Sequence, residues 1–286
     1  MSEPLVKAPK SNLAMRLITA FVAAPLILLL LYRAPPWGMF LLVLMAALVG
    51  SSELFAMTHG SDKPSIAFGV VLTGAAACAT FFGVHNPLVL ITVLAIVPLL
   101  GPLFTLVRLG DMPSAALRAC AMGMGPLFVG VPLALVAVMR RDFATAAEPA
   151  RGPGFVVLVL MIAWFGDTGG YFAGRFFGKR KLYEAVSPKK TIAGAIGGLA
   201  ASALGATLAH FIYLPSLGLI EGIVLAIVAG ALGQAGDLGE SLIKRSVGVK
   251  DSGAIVPGHG GILDRVDALL IVTAVVYVYE IWRASL

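Results

Sequence analysis

The run Pro87-Leu-Val-Leu-Ile-Thr-Val-Leu-Ala-Ile-Val-Pro-Leu-Leu-Gly-Pro-Leu-Phe-Thr-Leu-Val107 decides the fold class of this chain. It contains 21 residues and no charged side chain. An α-helix needs about 20 mostly apolar residues to cross the hydrocarbon core of a bilayer. The run therefore predicts a transmembrane helix, which makes all of its backbone hydrogen bonds within the segment.

The whole chain has the same character as this run. Of its 286 residues, 59% are hydrophobic and 13% are charged, and the mean hydropathy is +0.95. A soluble domain carries about 25% charged residues, so lipid must be the main solvent of this chain. The two cysteines and four scattered histidines show neither a disulfide framework nor a metal-binding spacing. The net charge of +6 comes without basic runs interleaved with aromatic residues, so we expect no nucleic-acid partner.

Apolar segments of spanning length recur along the chain, separated by turn-forming residues. We predict the spans Met15–Tyr32, Trp37–Met57, Ile66–Val84, Pro87–Val107, Ala115–Met139, Pro153–Phe172, Ile192–Tyr213, Leu217–Gly236 and Leu263–Arg283. The predicted fold is therefore all-α, a polytopic integral membrane protein with about nine transmembrane helices in one membrane unit. Residues 1–150 would hold about five of these spans, and residues 151–286 would form a catalytic region with two cytoplasmic loops.

The distribution of lysine and arginine predicts the orientation, because both residues are enriched in cytoplasmic loops. With the N-terminus inside, 16 of the 21 basic residues fall in inside segments and 5 fall outside. We therefore predict a cytoplasmic N-terminus and an external C-terminus. The loop Arg140–Arg151, which is rich in arginine, is the one segment that argues against this orientation.

Acidic residues are concentrated near the C-terminus. Five of the 15 carboxylates lie within Gly236–Asp267, namely Asp237, Glu240, Asp251, Asp264 and Asp267. Asp167 is similar, because the charge-free run before it is too short to span a bilayer. A carboxylate at such depth costs several kcal/mol unless it is paired or bound to a cation. A salt bridge or a snorkelling side chain is the ordinary alternative, and it suits Asp167 alone better than the whole cluster.

Helical spacing arranges part of this cluster on one surface. If the eighth predicted span continues past Gly236, then Asp237, Ser241 and Lys244 lie on one helix face. Glu240 is also four residues from Lys244, so a plain ion pair competes for that lysine.

A glycine-rich loop, Lys250–Gly261, connects the eighth and ninth predicted spans. Its glycines leave backbone N–H groups accessible to a ligand, and a helix begins just after them, an arrangement that often holds phosphate. Asp264 and Asp267 then share a face at the start of the ninth span, near the positive end of its helix dipole.

The loop between the sixth and seventh predicted spans is basic. It contains Arg175, Lys179, Arg180, Lys181, Lys189 and Lys190. The ordinary enrichment of inside loops accounts for about half of these charges. Lys189 and Lys190 lie at the membrane edge, at the level of an anionic lipid head group, so we predict that this pair contacts substrate.

Carboxylates that converge with lysines, arginines and a glycine loop suit nucleotidyl transfer. Aspartates hold Mg²⁺, the metal bridges phosphate oxygens, and Lys and Arg neutralise the remaining charge. A lipid phosphate oxygen would attack the α-phosphate of a nucleotide and pyrophosphate would leave. Catalysis would then rest on positioning and electrostatics.

The stretch Ser241–Asp267 resembles the signature of the phosphatidate cytidylyltransferase family, the CDP-diacylglycerol synthases. The signature S-x-x-K-R-x4-K-D-x-G-x3-P-G-H-G-G-x-x-D-R-x-D is met at every fixed position over 27 residues. Gly236–Ser241, Asp167–Lys179 and Ser187–Thr191 are also similar to the family. The resemblance covers about the last 130 residues closely.

This resemblance implies that CTP and phosphatidic acid react to give CDP-diacylglycerol and pyrophosphate in phospholipid biosynthesis. It also implies Mg²⁺, with a second cation left open, membrane lipids as partners, a bacterial inner-membrane location and a helical fold. A homodimer is left open. The implied metal ligands are Asp237 and Asp264, supported by Asp167 and Asp267. The implied catalytic residues are Asp237, Lys244, Asp264 and Asp267. The implied substrate-binding residues are Lys189, Lys190, Ser241, Arg245, Lys250, Asp251, Gly258, His259, Gly260, Gly261 and Arg265.

One position departs from the family pattern. The family usually has an acidic residue two places after Lys-Lys-Thr, where this chain has Ala193 followed by Gly194. The departure puts an auxiliary contact in doubt and leaves the signature intact.

Two rival functions stay open at this point. The same site would serve an enzyme that acts on an isoprenoid phosphate or an archaeal ether lipid, or a CTP-dependent lipid kinase. A lipid transporter or scramblase would also place charges in a membrane. That rival predicts charges through several spans and on both sides, whereas here they gather in two adjacent inside loops.

Overall fold

The computed structural model describes residues 25–253 and 260–286, and this part of the chain is almost entirely helical. The helices are α1 (residues 25–33 of the described part), α2 (Pro36–His59), α3 (Lys63–Gly83), α4 (Pro87–Val107), α5 (Met112–Gly125), α6 (Val131–Asp142), α7 (Arg151–Phe177), α8 (Ile192–Ile212), α9 (Leu219–Ser246) and α10 (Leu263–Ala284). A π-helical turn, Pro126–Gly130, connects α5 to α6 without a break. An antiparallel hairpin of β1 (Lys181–Tyr183) and β2 (Ser187–Thr191) separates α7 from α8. The predicted all-α class is confirmed.

Seven helical segments of the described part are long and apolar enough to cross a membrane. They are α2, α3, α4, the continuous segment Met112–Asp142, α7, α8 and α9. Helix α10 has 22 residues but is not among the seven, because it carries charged residues near both ends. The first predicted span, Met15–Tyr32, lies partly outside the described residues. The chain is therefore a polytopic membrane protein, and the count of nine spans stays a prediction.

Two helices extend further than their apolar runs. Helix α7 continues to Phe177 and α9 continues to Ser246, whereas the predicted spans end at Phe172 and Gly236. The additional turns contain polar side chains, so hydropathy alone ends these helices too early. Because α9 continues past Gly236, Asp237, Ser241 and Lys244 lie on one helix, as the conditional prediction required.

Helices α7 and α8 approach each other closely through small residues. A Cβ added at Gly169 would lie 2.4 Å from the Cβ of Ala201. One added at Gly197 would lie 2.2 Å from the Cβ of Ala173. Small residues let transmembrane helices pack at such short range, and here the packing brings the C-terminal half of α7 beside the start of α8.

Helix α6 lies in the centre of the bundle. Every residue from Pro132 to Arg140 is buried, and α6 packs against α2, α3, α7 and α10. Residue 150, the predicted boundary, falls between α6 and α7, and helices from both sides of it pack together.

The arginines of the Arg140–Arg151 loop are used in packing. The Nε of Arg140 donates to the carbonyl of Leu31 at 2.7 Å, and Arg151 forms an ion pair with Glu280 of α10. These side chains tie helix ends together, which gives a structural reason for positive charge in this loop.

Candidate active site

A cavity of about 590 Å³, lined by many charged side chains, lies between α7, the hairpin, α8, α9 and the start of α10. Nine residues that the sequence analysis singled out line it: Asp167, Lys189, Lys190, Asp237, Lys244, Asp251, Asp264, Arg265 and Asp267. Asp167 and Asp267 are 100 residues apart in the chain. The fold thus brings the basic loop after α7 and the acidic segment Gly236–Asp267 to one cavity.

The β-hairpin carries Lys189 and Lys190 to the cavity. Lys190 forms an ion pair with Asp237 of α9. Thr191, the last residue of β2, caps α8, because its hydroxyl accepts a hydrogen bond from the N–H of Gly194 at 3.1 Å. Strand and helix are joined at this capping residue, which fixes where the two lysines enter the site.

Lys244 connects two carboxylates. Its Nζ lies 2.6 Å from Oδ1 of Asp264 and 3.0 Å from Oε1 of Glu240. The side chain of Glu240 is completely buried, so the lysine compensates a charge that would otherwise be very costly. The sequence predicted either an ion pair with Glu240 or a role in the site for Lys244. The structure shows both, because Lys244 contacts Glu240 and also Asp264, which lines the cavity.

Asp264 contacts the two described ends of the loop before α10. Its Oδ2 accepts hydrogen bonds from the N–H of Ser252 at 2.9 Å, the hydroxyl of Ser252 at 3.0 Å and the N–H of Gly261 at 2.9 Å. Gly260 has φ +80°, a conformation that favours glycine. A Cβ there would also lie 2.8 Å from Oδ2 of Asp264. The glycines at this end of the loop allow close approach to this carboxylate.

Several predicted substrate residues do not line the cavity in the described part of the chain. They are Ser241, Arg245, Lys250, Gly260 and Gly261. Arg245 is exposed and donates to the carbonyl of Val249 at 2.8 Å. Gly258 and His259 lie outside the described residues. The substrate roles of all seven residues remain predictions.

Carboxylates from three helices face the cavity: Asp167 of α7, Asp237 of α9 and Asp267 of α10. Carboxylate oxygens are the protein ligands that Mg²⁺ takes, so the donor type fits the predicted metal. Within residues 25–253 and 260–286, no three Asp, Glu, His or Cys residues are close enough to hold a metal ion together. The metal assignment, including Asp264, therefore remains a prediction that rests on donor chemistry.

The cavity also contains residues to which the sequence analysis gave no role. Gln234 lines it and donates from Nε2 to the carbonyl of Ala195 at 3.1 Å, which joins α9 to α8. It lies three residues before Asp237, so the helical spacing that grouped the other α9 residues could have found it. Tyr171 and Arg175 line the cavity as well, and Arg175 donates to the Tyr171 hydroxyl at 2.8 Å.

The helical bundle and this cavity define a polytopic membrane protein with a site in which carboxylates meet lysines and arginines. A family model described as the cytidylyltransferase family matches residues 14–282, and the chain belongs to this family.

Three similar proteins are named phosphatidate cytidylyltransferase. A phosphatidate cytidylyltransferase of Staphylococcus haemolyticus is 43% identical over 126 residues, which cover 44% of this chain and 48% of the relative. One of Haemophilus influenzae is 44% identical over 126 residues, covering 43% of this chain and 44% of the relative. One of Brucella suis is 40% identical over 158 residues, covering 54% and 55%. The chain spans about half the length of the curated relatives it matches.

Proposed function

We propose that this protein is a phosphatidate cytidylyltransferase that forms CDP-diacylglycerol and pyrophosphate from CTP and phosphatidic acid. The observation that carries the proposal is the single cavity in which carboxylates of α7, α9 and α10 meet Lys189, Lys190, Lys244 and Arg265. Membership of the cytidylyltransferase family and the names of the relatives support the choice of nucleotide and lipid.

The proposed reaction is a direct displacement. A phosphate oxygen of phosphatidic acid forms a bond to the α-phosphorus of CTP, and the bond from that phosphorus to the bridging oxygen of the β-phosphate breaks. Pyrophosphate leaves with the bonding electrons. Because the phosphate of the lipid is already largely ionised at neutral pH, the step requires little proton transfer.

Different residues would bind the two substrates. Lys189 is exposed at the hairpin and suits a lipid phosphate, whereas Lys244 and Arg265 suit the triphosphate of CTP. Asp237 and Asp264 would supply oxygen ligands to Mg²⁺, with Asp167 and Asp267 in support, and substrate phosphates would complete the coordination of the ion. When bound, this ion would neutralise charge on the phosphate oxygens.

We also propose the orientation. The N-terminus and the site would face the cytoplasm of a bacterial cell, the C-terminus would lie outside, and the inner membrane would hold the protein. CTP is available on that side, and the basic loop of the hairpin would face anionic head groups there.

The decisive experiment is turnover by the purified full-length protein in lipid nanodiscs. We expect CDP-diacylglycerol by mass spectrometry and an equal amount of pyrophosphate when CTP, MgCl₂ and phosphatidic acid are supplied, and no product after EDTA is added. Absence of CDP-lipid from intact, folded protein would overturn the proposal. Replacing phosphatidic acid with an isoprenoid phosphate or an ether-lipid phosphate tests the nearest rival. A phosphorylated lipid together with CDP would instead identify a lipid kinase.

The metal ligands require a separate measurement. Asp237→Asn and Asp167→Asn are expected to raise the Mg²⁺ concentration needed for half-maximal rate, because each removes a charged oxygen from the cavity. An unchanged Mg²⁺ dependence in both variants would remove these two residues from the metal site. Native mass spectrometry of the same samples tests the homodimer.

A further inference from the structure

A buried carboxylate of α2 contacts the loop that Asp264 also contacts. Glu53 is 4% exposed. Its Oε1 accepts a hydrogen bond from the N–H of Ile262 at 3.1 Å, and its Oε2 accepts one from the N–H of Leu263 at 2.9 Å. The hydroxyl of Ser252 lies 3.1 Å from the same Oε2. Glu53 thus reaches both ends of the loop from the N-terminal half of the chain.

These contacts are made at the beginning of α10. Ile262 is the N-cap of the helix and Leu263 is its first residue. The first N–H groups of a helix have no acceptor within the helix, and a carboxylate beside them is stabilised by the helix dipole. Hydrogen bonds to an ionised acceptor are also stronger than neutral ones. Glu53 therefore supplies, from another helix, the cap that α10 lacks in its own sequence.

Two glycines of the signature lie in close contact with this carboxylate, where a side chain would not fit. A Cβ added at Gly253 would lie 2.5 Å from Oε1 of Glu53. A Cβ added at Gly261 would lie 2.4 Å from Oε2 of Glu53 and 2.1 Å from Oγ of Ser252. A side chain at either position would displace the carboxylate from its donors.

Ser252 connects Glu53 to the candidate active site. Its hydroxyl lies 3.1 Å from Glu53 and 3.0 Å from Oδ2 of Asp264. Asp264 in turn holds Lys244 through its other oxygen. The four side chains form a continuous polar chain from α2 to the cavity.

We propose that Glu53 is a positioning residue for the reaction: it fixes Ser252 and the start of α10, so that Asp264 and Lys244 face the substrates in one arrangement. This inference rests on the proposed function. Through Glu53, the N-terminal half of the chain would help to position the active-site residues in addition to anchoring the protein in the membrane.

The test compares Glu53→Gln with Ser52→Ala in the full-length protein in nanodiscs. The hydroxyl of Ser52 donates to the carbonyl of Val49 within α2, so its loss should leave the loop unchanged. Glu53→Gln presents an amide NH₂ to donors that need an acceptor. We expect its kcat/KM for CTP to fall about 10- to 100-fold, as for other residues that support a ligand shell, with unchanged yield of folded protein. Ser52→Ala should match the parent protein.

A second readout does not depend on turnover. Hydrogen exchange at the amides of Ile262 and Leu263 should become faster in Glu53→Gln, even if the protein proves inactive with phosphatidic acid. In that case the proposed function fails while the contact stands. Unchanged exchange together with unchanged kinetics would overturn the positioning role. A lowered Tm with normal kinetics of the folded fraction would also overturn it, because Glu53 would then serve stability alone.

The double variant Glu53→Gln/Ser252→Ala tests the link to Asp264. Residues that act through one another give non-additive effects, so the loss in kcat/KM should be smaller than the product of the two single losses. Strictly multiplicative losses would contradict the chain of contacts.

Discussion

The ammonium nitrogen of Lys244 lies 2.6 Å from a carboxylate oxygen of Asp264, and this ion pair joins the last turns of α9 to the first turn of α10. The second oxygen of Asp264 accepts three hydrogen bonds from Ser252 and Gly261. Asp264 therefore holds the loop in addition to any metal that it binds. Changes at this pair should affect structure and catalysis in separable ways.

Asp264→Asn is expected to lower the rate of CDP-lipid formation by about 100-fold. An amide does not neutralise Lys244, and its NH₂ group has no acceptor among the loop N–H groups. Initial rates with CTP and phosphatidic acid in nanodiscs provide the measurement. Near-normal turnover would remove Asp264 from both the metal site and the loop.

Asp62→Asn is the matched control for this change. Asp62 lies between α2 and α3 and pairs with Arg108 at 2.6 Å. The hydrogen bond from Arg108 lowers the pKa of Asp62 to about 2, so both substitutions remove one negative charge at neutral pH. We expect normal turnover, since Asp62 lies outside the cavity.

Lys244→Met is expected to lower the thermal stability, because it leaves the buried Glu240 without its cation. Removing one partner of a buried pair costs about 3–5 kcal/mol. Adding Glu240→Gln removes the more deeply buried of the two carboxylates that lose their cation, so it should restore part of the Tm. Activity stays low because Asp264 and the cavity still lack the ammonium group of Lys244. Thermal unfolding in detergent tests this, and an unchanged Tm in Lys244→Met would contradict it.

Lys189 and Lys190 should respond differently to replacement by alanine. Lys189 is exposed and Lys190 is paired with Asp237. Lys189→Ala should mainly raise the KM for phosphatidic acid, and the effect should shrink at high salt, because an exposed charge is screened. Lys190→Ala should mainly lower kcat, because Asp237 loses its partner. Kinetics at varied lipid fraction distinguish the two, and identical effects would contradict the assignment.

Gly197→Ala is expected to lower both Tm and activity. The added methyl group would lie 2.2 Å from the Cβ of Ala173, so α7 and α8 must separate. Gly205→Ala is the control on the same helix, since its nearest neighbour, in Phe165, would be at an ordinary 3.4 Å. Equal Tm values for the two variants would show that the close contact is unimportant.

Ala193→Glu, which restores the acidic residue of the family pattern, is expected to leave turnover nearly unchanged. Ala193 is the second residue of α8, after its N-cap Thr191, and does not line the cavity. A carboxylate there would interact with the helix dipole and add about 0.3–1 kcal/mol of stability. A large gain in kcat would show that the site lacks a catalytic group in this chain.

The sequence predicted more of the residues that line the cavity than of the residues that hold them in position. Spacing along one helix placed Asp237 and Lys244 together, and the interrupted apolar run placed Asp167 in the membrane region. The same spacing would have identified Gln234. Glu53 carried no such signal, because its partners Ile262 and Leu263 follow it by more than 200 residues.

The sequence by itself determined the class of protein, because the length of apolar runs must match the thickness of a bilayer. It also indicated which segments hold the charged side chains of the candidate site, because charge at membrane depth is costly without a partner. The tertiary structure alone decided that Lys244, besides Glu240 on its own helix, also pairs with Asp264 of α10. It alone decided that the hairpin pairs Lys190 with Asp237 and that Glu53 caps α10. These contacts depend on how closely helices pack, which small residues such as Gly197 permit, and no periodicity along the chain encodes which side chains then meet.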